Sequence, residues 1–351
     1  MGGRVTSDLL LVGSLPAGDA EHALRAGAEL FGDLTFALPD GETGPRAAWV
    51  GYERERLVRP NPAVETVATT PSPTGIPRHA YETPVFRLRD GAALQFPSWP
   101  RIDDAIESYG LFARLRTEGA IPDGLRFQVC LPFPSSALNG FKANFAADYP
   151  AAERAFEDLV LHELSRLLDA IPAADLALQW DVCYEVLDLE GVIAWTADGA
   201  WERFTAPVQR LTRHIPEDAL VGYHLCYGTF PEWPMYEARD MALMVRMANH
   251  AVANSGRPVD WLHMAGPRYL RSEDDRFFRP LTDLDVGDTR VFLGIVLPLD
   301  GIPGLKRRHA TASKYLDDFG VAMYCGFGRQ PGADGLQTMR DHRETIRSVS
   351  G

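Results

Sequence analysis

The run Tyr223–Gly228 reads YHLCYG and sets an imidazole, His224, two residues from a thiol, Cys226. Residues two apart in a strand leave the same face, so both side chains address one point. An imidazole and a thiolate meeting at one point are donors that Zn²⁺ favours. His263 and Cys325 lie near the ends of two other apolar runs and extend the set to four. Cys325 can join only if the last strand closes beside the fifth and sixth. Three protein ligands would leave a position open for substrate; four would require displacement or expansion. Packing is the open alternative, because short motifs match by chance and cysteine is commonly a small buried hydrophobe.

Other polar residues gather at the ends of apolar runs. Ser14 follows the first run, and Asp40 and Glu42 close the second. The segment QWDVCYE sets Asp181, Cys183 and Glu185 on one face if it is extended. Paired carboxylates there could do acid–base work or hold an ammonium group. A buried aspartate bonded to backbone amides is equally consistent. Cys183 and Cys130 read as packing residues. Arg46, Arg268 and Arg329 each follow a strand end, and a guanidinium fork suits a substrate carboxylate. Taken singly, each also reads as a solvated arginine. His22, His162, His250 and His342 fall in helical stretches, as surface or packing residues. LKRRH (305–309) starts a helix and reads as a solvated basic turn.

The elements that must position these groups are eight short apolar runs: 9–16, 34–42, 125–134, 176–185, 220–228, 259–266, 291–301 and 321–329. Each has the length and apolar density of a strand buried on both faces. Helical periodicity fills the intervals AGDAEHALRAGAELFG, AAERAFEDLVLHELSRLLDAIP and MYEARDMALMVRMANHAVANSG, and KYLDDFG before the last strand. Strands alternating with helices predict a (β/α)₈ TIM barrel, class α/β, in which strand ends face the active site. An open doubly wound sheet is the runner-up, but GSLPAG is not the Gly-rich phosphate loop such a sheet would show after its first strand. One barrel domain over 1–351 is expected. The interval 43–124 is read as an excursion over the barrel mouth, with one helix near 102–119.

With 48 acidic against 35 basic residues, the formal charge of -13 disfavours nucleic acid and anionic membrane as partners. No apolar run approaches the roughly 20 residues of a membrane span. LLLVGS lacks the charged flank and cleavage site of a secretion signal, so a cytoplasmic location is expected. Four cysteines in 351 residues do not make a disulfide scaffold. Free thiols or metal ligands are the better readings.

At these residues the chain resembles the catalytic C-terminal barrel of the cobalamin-independent methionine synthase family. VGSLP resembles that family's Gly-Ser-Phe-Pro opening and PDGE its second-strand Gly-Glu. QWD resembles the start of Gln-Ile-Asp-Glu-Pro, HLCYG resembles His-x-Cys-Tyr, and YCGFGR stands at the last Cys-Gly. The motifs keep their order from Val12 to Arg329. The resemblance implies Zn²⁺ at His224, Cys226 and Cys325. It also implies Ser14 on the carboxylate of an amino-acid thiol such as homocysteine, with Glu42 and Asp181 on its ammonium. The family's fourth ligand is a Glu on the sixth strand; WLHMAGPR has none, and His263 is the replacement expected here. Val182-Cys183 stands where the family has Glu-Pro, which separates this chain from its relatives on the alkyl-donor side.

The function expected is therefore a zinc-dependent alkyl or methyl transferase acting on a small thiol, by attack of a metal-bound thiolate on an alkyl carbon. Its partners would be the thiol and an alkyl donor. The alternatives are a metal-free lyase or decarboxylase of the uroporphyrinogen decarboxylase type, working through Arg46, Arg268 and Asp40; an epoxide-opening zinc thiol transferase; and a non-catalytic zinc or small-molecule binding barrel.

Overall fold

The computed structural model describes residues 5–70, 83–193, 198–229, 236–267, 275–297, 300–329 and 335–349. Arg268 lies outside them, as does the side chain of Arg329. Eight strands form one sheet: β1 Leu9–Leu10, β2 Ala37–Pro39, β5 Arg126–Pro132, β6 Leu176–Val182, β7 Leu220–Leu225, β8 Trp261–Ala265, β9 Arg290–Val296 and β10 Gly320–Met323. The order is β1-β10-β9-β8-β7-β6-β5-β2, and every neighbouring pair is parallel. Between β1 and β2 the circuit is completed by a parallel bridge from Ser14 to Gly41 and by the Leu9 amide donating to Leu34 O at 3.1 Å. This is the expected (β/α)₈ TIM barrel. Each of the eight runs read from the sequence overlaps one strand.

Two apolar layers explain why strands this short hold. Leu10, Ala37, Ala177, Leu220, Trp261, Phe292 and Ala322 come from seven different strands and form a cluster of their own inside the barrel. They sit at or near strand starts, so they close the amino-terminal end and leave the carboxyl-terminal end for polar residues. Gly222 is required by this layer, since a Cβ there would lie 2.1 Å from the Trp261 indole. A larger cluster packs the outer strand faces against the helices. Helix Ala20–Phe31 starts at Asp19, whose side chain accepts from the His22 amide at 2.9 Å. Helices Phe145–Ala170 and Ala242–Asn254 bury one face each. No described helix is long and apolar enough to cross a membrane.

Three local expectations change. KYLDDFG is not helical; the helix before β10 is Gly301–Ala312. LKRRH lies inside that helix, and Arg308 is fully buried rather than solvated. Its guanidinium forks onto Asp300 at 2.6 and 2.7 Å and donates to Ile295 O at 2.8 Å. Glu185 leaves the strand face, because β6 ends at Val182 and Tyr184–Leu189 turns helical.

The interval after β2 holds the expected helix, Pro100–Thr117, and also an antiparallel hairpin, β3 Val64–Thr70 with β4 Thr83–Leu88. Buried polar bonds fix its first part. The Trp99 indole donates to Glu53 Oε2 at 2.7 Å, Arg101 pairs with Glu53, and Arg101 also donates to Trp49 O at 3.2 Å. The hairpin is tied to the loop after β5 by the Phe86 amide, which donates to Gly140 O at 2.8 Å.

Candidate functional site

The carboxyl ends of the strands line one pocket. Its walls include Ser14, Glu42, Asp181, Cys183, His224, Cys226 and Cys325, with Trp49, Val50 and Arg54 from the segment after β2. One donor atom each from His224, Cys226 and Cys325 lies within 4.8 Å of the others. The three converge differently from the sequence expectation. In the sheet order, β8 and β9 stand between β7 and β10. Cys325 therefore meets the β7 residues across the barrel mouth rather than from an adjacent strand. Gly326, at φ +125°, makes this possible: a Cβ there would lie 2.6 Å from Ser14 Oγ. The Gly328 amide then donates to Ser14 O at 3.0 Å. The loop carrying Cys325 is thereby packed on the loop carrying Ser14.

His263 is not part of this group of donors but touches it through His224. It is the register partner of His224 on β8, and its Nδ1 lies 2.6 Å from His224 Nδ1. Its Nε2 lies 2.9 Å from the Met323 carbonyl, which can only accept. His263 is therefore protonated on Nε2, and its Nδ1 accepts from His224 Nδ1–H. Burial lowers the His263 pKa to about 3, in keeping with a neutral ring. With Nδ1 so used, His224 keeps its lone pair on Nε2, the tautomer a metal ligand requires. Both nitrogens of His263 have partners, and it is not among the donors that converge with His224, Cys226 and Cys325.

Around the three sulfurs, the Cys226 thiol interacts with those of Cys183 and Cys325. It also accepts from the Gly228 amide at 3.3 Å. The hydrogen bond with Cys183, together with burial, holds the Cys226 thiol well above the usual thiol range. An imidazole nitrogen and thiolates, two of the three groups buried and Cys325 half-buried, are a donor set that suits zinc.

A second cluster adjoins the first. Glu42, Cys130 and Asp181 are buried and bring one donor atom each within 4.8 Å of one another. Asp181 Oδ1 accepts from Gln179 Nε2 at 2.8 Å and Oδ2 from the Trp49 indole at 3.0 Å. Burial, then the nearby Glu42 carboxylate, push the Asp181 pKa up to about 8. Two carboxylates sharing one buried place favour a proton or a cation between them. Cys130 is a packing residue whose thiol donates to Val12 O at 3.3 Å. Glu42 and Trp49 both take positive φ, +49° and +50°, the strained backbone that functional sites accumulate. Ser14 is buried, and its hydroxyl has no hydrogen-bond partner among the described residues.

Of the other sequence candidates, Arg46 is absent from the pocket wall; it pairs with Asp40, whose other oxygen accepts from the Glu42 amide at 3.0 Å. Glu185 accepts from the Ser136 amide at 3.1 Å and is paired with its hydroxyl at 2.7 Å. His22 and His162 are exposed, His250 is half-buried and His342 is buried, all four in helices. Sequence reasoning missed Trp49, Arg54 and Cys183 as pocket residues. Only Cys183 carried a readable signal, a cysteine two positions beyond Asp181 that mirrors Cys226 two beyond His224.

Fold and site together define a (β/α)₈ barrel with a thiol–imidazole cluster beside a carboxylate pair at its carboxyl-terminal mouth. No protein-family model and no curated protein matches the chain in sequence. Solved structures do match in fold. The chain superposes on the proposed vitamin-B12-independent methionine synthase of Listeria monocytogenes with a TM-score of 0.62 at 14% identity, covering 99% of this chain and 98% of that one. The B12-independent methionine synthase of Shewanella sp. W3-18-1, in complex with selenomethionine, gives a TM-score of 0.59 at 14% identity, over 99% and 98% of the two chains.

Proposed function

We propose that this chain is a zinc-dependent alkyltransferase of the cobalamin-independent methionine synthase type, moving a methyl or larger alkyl group to a small amino-acid thiol. The observation that carries the proposal is the convergence of His224, Cys226 and Cys325 beside the Glu42–Asp181 pair. The likeness to methionine synthase structures supports the same reading.

In this reading His224, Cys226 and Cys325 hold zinc, and bound zinc supplies a lowered pKa and a fixed position for the substrate thiol. The chain's own residues do the rest. Glu42 and Asp181 receive the substrate ammonium, and its charge releases the proton that burial keeps on Asp181. The Trp49 indole holds the Asp181 carboxylate in place. Ser14 Oγ–H, a buried donor unmet among the described residues, is suited to the substrate carboxylate. His263 and the Met323 carbonyl keep the His224 lone pair on Nε2. Trp49 and Val50 would flank the alkyl donor, excluding water from the reacting carbon. The decarboxylase alternative is weakened because Arg46 and Asp40 satisfy each other.

The test is zinc analysis of the purified chain together with zinc-edge absorption before and after adding homocysteine. Stoichiometric zinc and a new sulfur neighbour on thiol addition are expected. Zinc that neither co-purifies nor returns on add-back, with Cys226→Ala behaving as wild type, would sink the reading.

A further inference from the structure

Resting on that reading of the site, we infer that Cys183 is the fourth protein ligand of the metal, making the donor set one imidazole and three thiolates. Three observations converge on it. The first is register. β6 and β7 pair Asp181 with His224 and Val182 with Leu225, and the Cys226 amide continues the ladder onto Val182 O at 3.1 Å. One further step in the same register sets Cys183 opposite Cys226 at the two strand ends. The second is contact and burial. Cys183 is 3% exposed, its thiol interacts with that of Cys226, and both belong to one small cluster against which Cys325 packs. Its sulfur is not one of the donors of His224, Cys226 and Cys325 that all lie within 4.8 Å of one another, so it must move inward to join them. The third is the lack of another donor on β8. His263 has both ring nitrogens engaged, and the residues after it, Met264, Ala265 and Gly266, offer no strong ligand.

Chemistry favours the assignment. A neutral imidazole and two thiolates leave a divalent ion electrically neutral; the third thiolate adds one negative charge and the soft donor zinc prefers. Arg54, buried on the wall of the same pocket, is a cation that can offset that charge. Four ligands fill a tetrahedral ion, so an incoming substrate thiol would enter by exchange with one ligand or by expansion to five.

Zinc-edge absorption on the metal-loaded full chain, without added thiol, counts the sulfurs directly. Three sulfurs and one nitrogen are expected for wild type, falling to two sulfurs in Cys183→Ser. Cobalt substitution gives an independent count, because the thiolate charge-transfer band should lose about a third of its intensity in that variant. Two sulfurs in wild type, or a band unchanged by Cys183→Ser, overturns the inference while leaving zinc at His224, Cys226 and Cys325 intact. Failure of wild type to bind either metal overturns both. The wild-type sulfur count decides the question even if the variant does not fold.

Discussion

His224 Nδ1 and His263 Nδ1 meet at 2.6 Å across neighbouring strands, and His263 Nε2 meets the Met323 carbonyl at 2.9 Å. Because the carbonyl can only accept, proton positions along the chain are fixed from its far end. A backbone atom of β10 thereby sets the tautomer of a candidate ligand on β7. Gly294 makes room for the relay, since a Cβ there would lie 2.9 Å from His263 Nε2.

Removing the relay should loosen the metal without abolishing its site. For His263→Ala we expect zinc affinity to fall about 10–100-fold, the usual cost of losing a residue that orients a ligand. Competition with a chromophoric chelator measures it. A loss as large as that of Cys226→Ala would instead mark His263 as a ligand.

Gly326 couples the two halves of the site. Gly326→Ala must take φ +125° with a methyl 2.6 Å from Ser14 Oγ. The strained backbone alone should cost about 1–3 kcal/mol in chemical denaturation. Because the loop carrying Cys325 packs on Ser14, zinc affinity and thiol binding should both weaken. Unchanged stability and binding would show that the loop relaxes freely.

Buried carboxylates give the metal-free protein a stability that falls as pH rises. Burial pushes Glu185 up to about 7 and Glu153 up to about 7, and burial with Glu42 nearby pushes Asp181 up to about 8. In the unfolded chain these groups titrate near pH 4. Between that value and their folded values the native state holds more protons, so the slope of stability with pH is negative. Their contribution is complete below about pH 4 and is lost as pH climbs through the folded values. Glu185→Gln, which cannot ionise, should gain on wild type by on the order of 1–3 kcal/mol between about pH 5 and about pH 8. Parallel stability curves for the two proteins would contradict this.

Arg46 should behave as a structural residue. Arg46→Ala leaves Asp40 buried beside a missing partner, and the expected cost is about 3–5 kcal/mol of stability. Zinc stoichiometry should stay at the wild-type level. A variant with wild-type stability and impaired thiol binding would return Arg46 to the substrate.

Much of this protein was legible in its sequence because strand burial and side-chain parity are local properties. Eight apolar runs separated by helical periodicity determined the barrel, and the two-residue spacing of His224 and Cys226 determined that both address one point. What spacing could not reach was anything depending on three-dimensional neighbours. The hairpin after β2 was hidden in a segment with no clean period. Arg308 looked solvated and Arg46 looked like a substrate ligand because their partners, Asp300 and Asp40, acquire meaning only once burial is known. His263 and Cys183 are the sharpest case. By residue type either could ligate a metal, and only the tertiary structure, through the Met323 carbonyl on one and the opposed thiol of Cys226 on the other, separated the orienting group from the donor we propose.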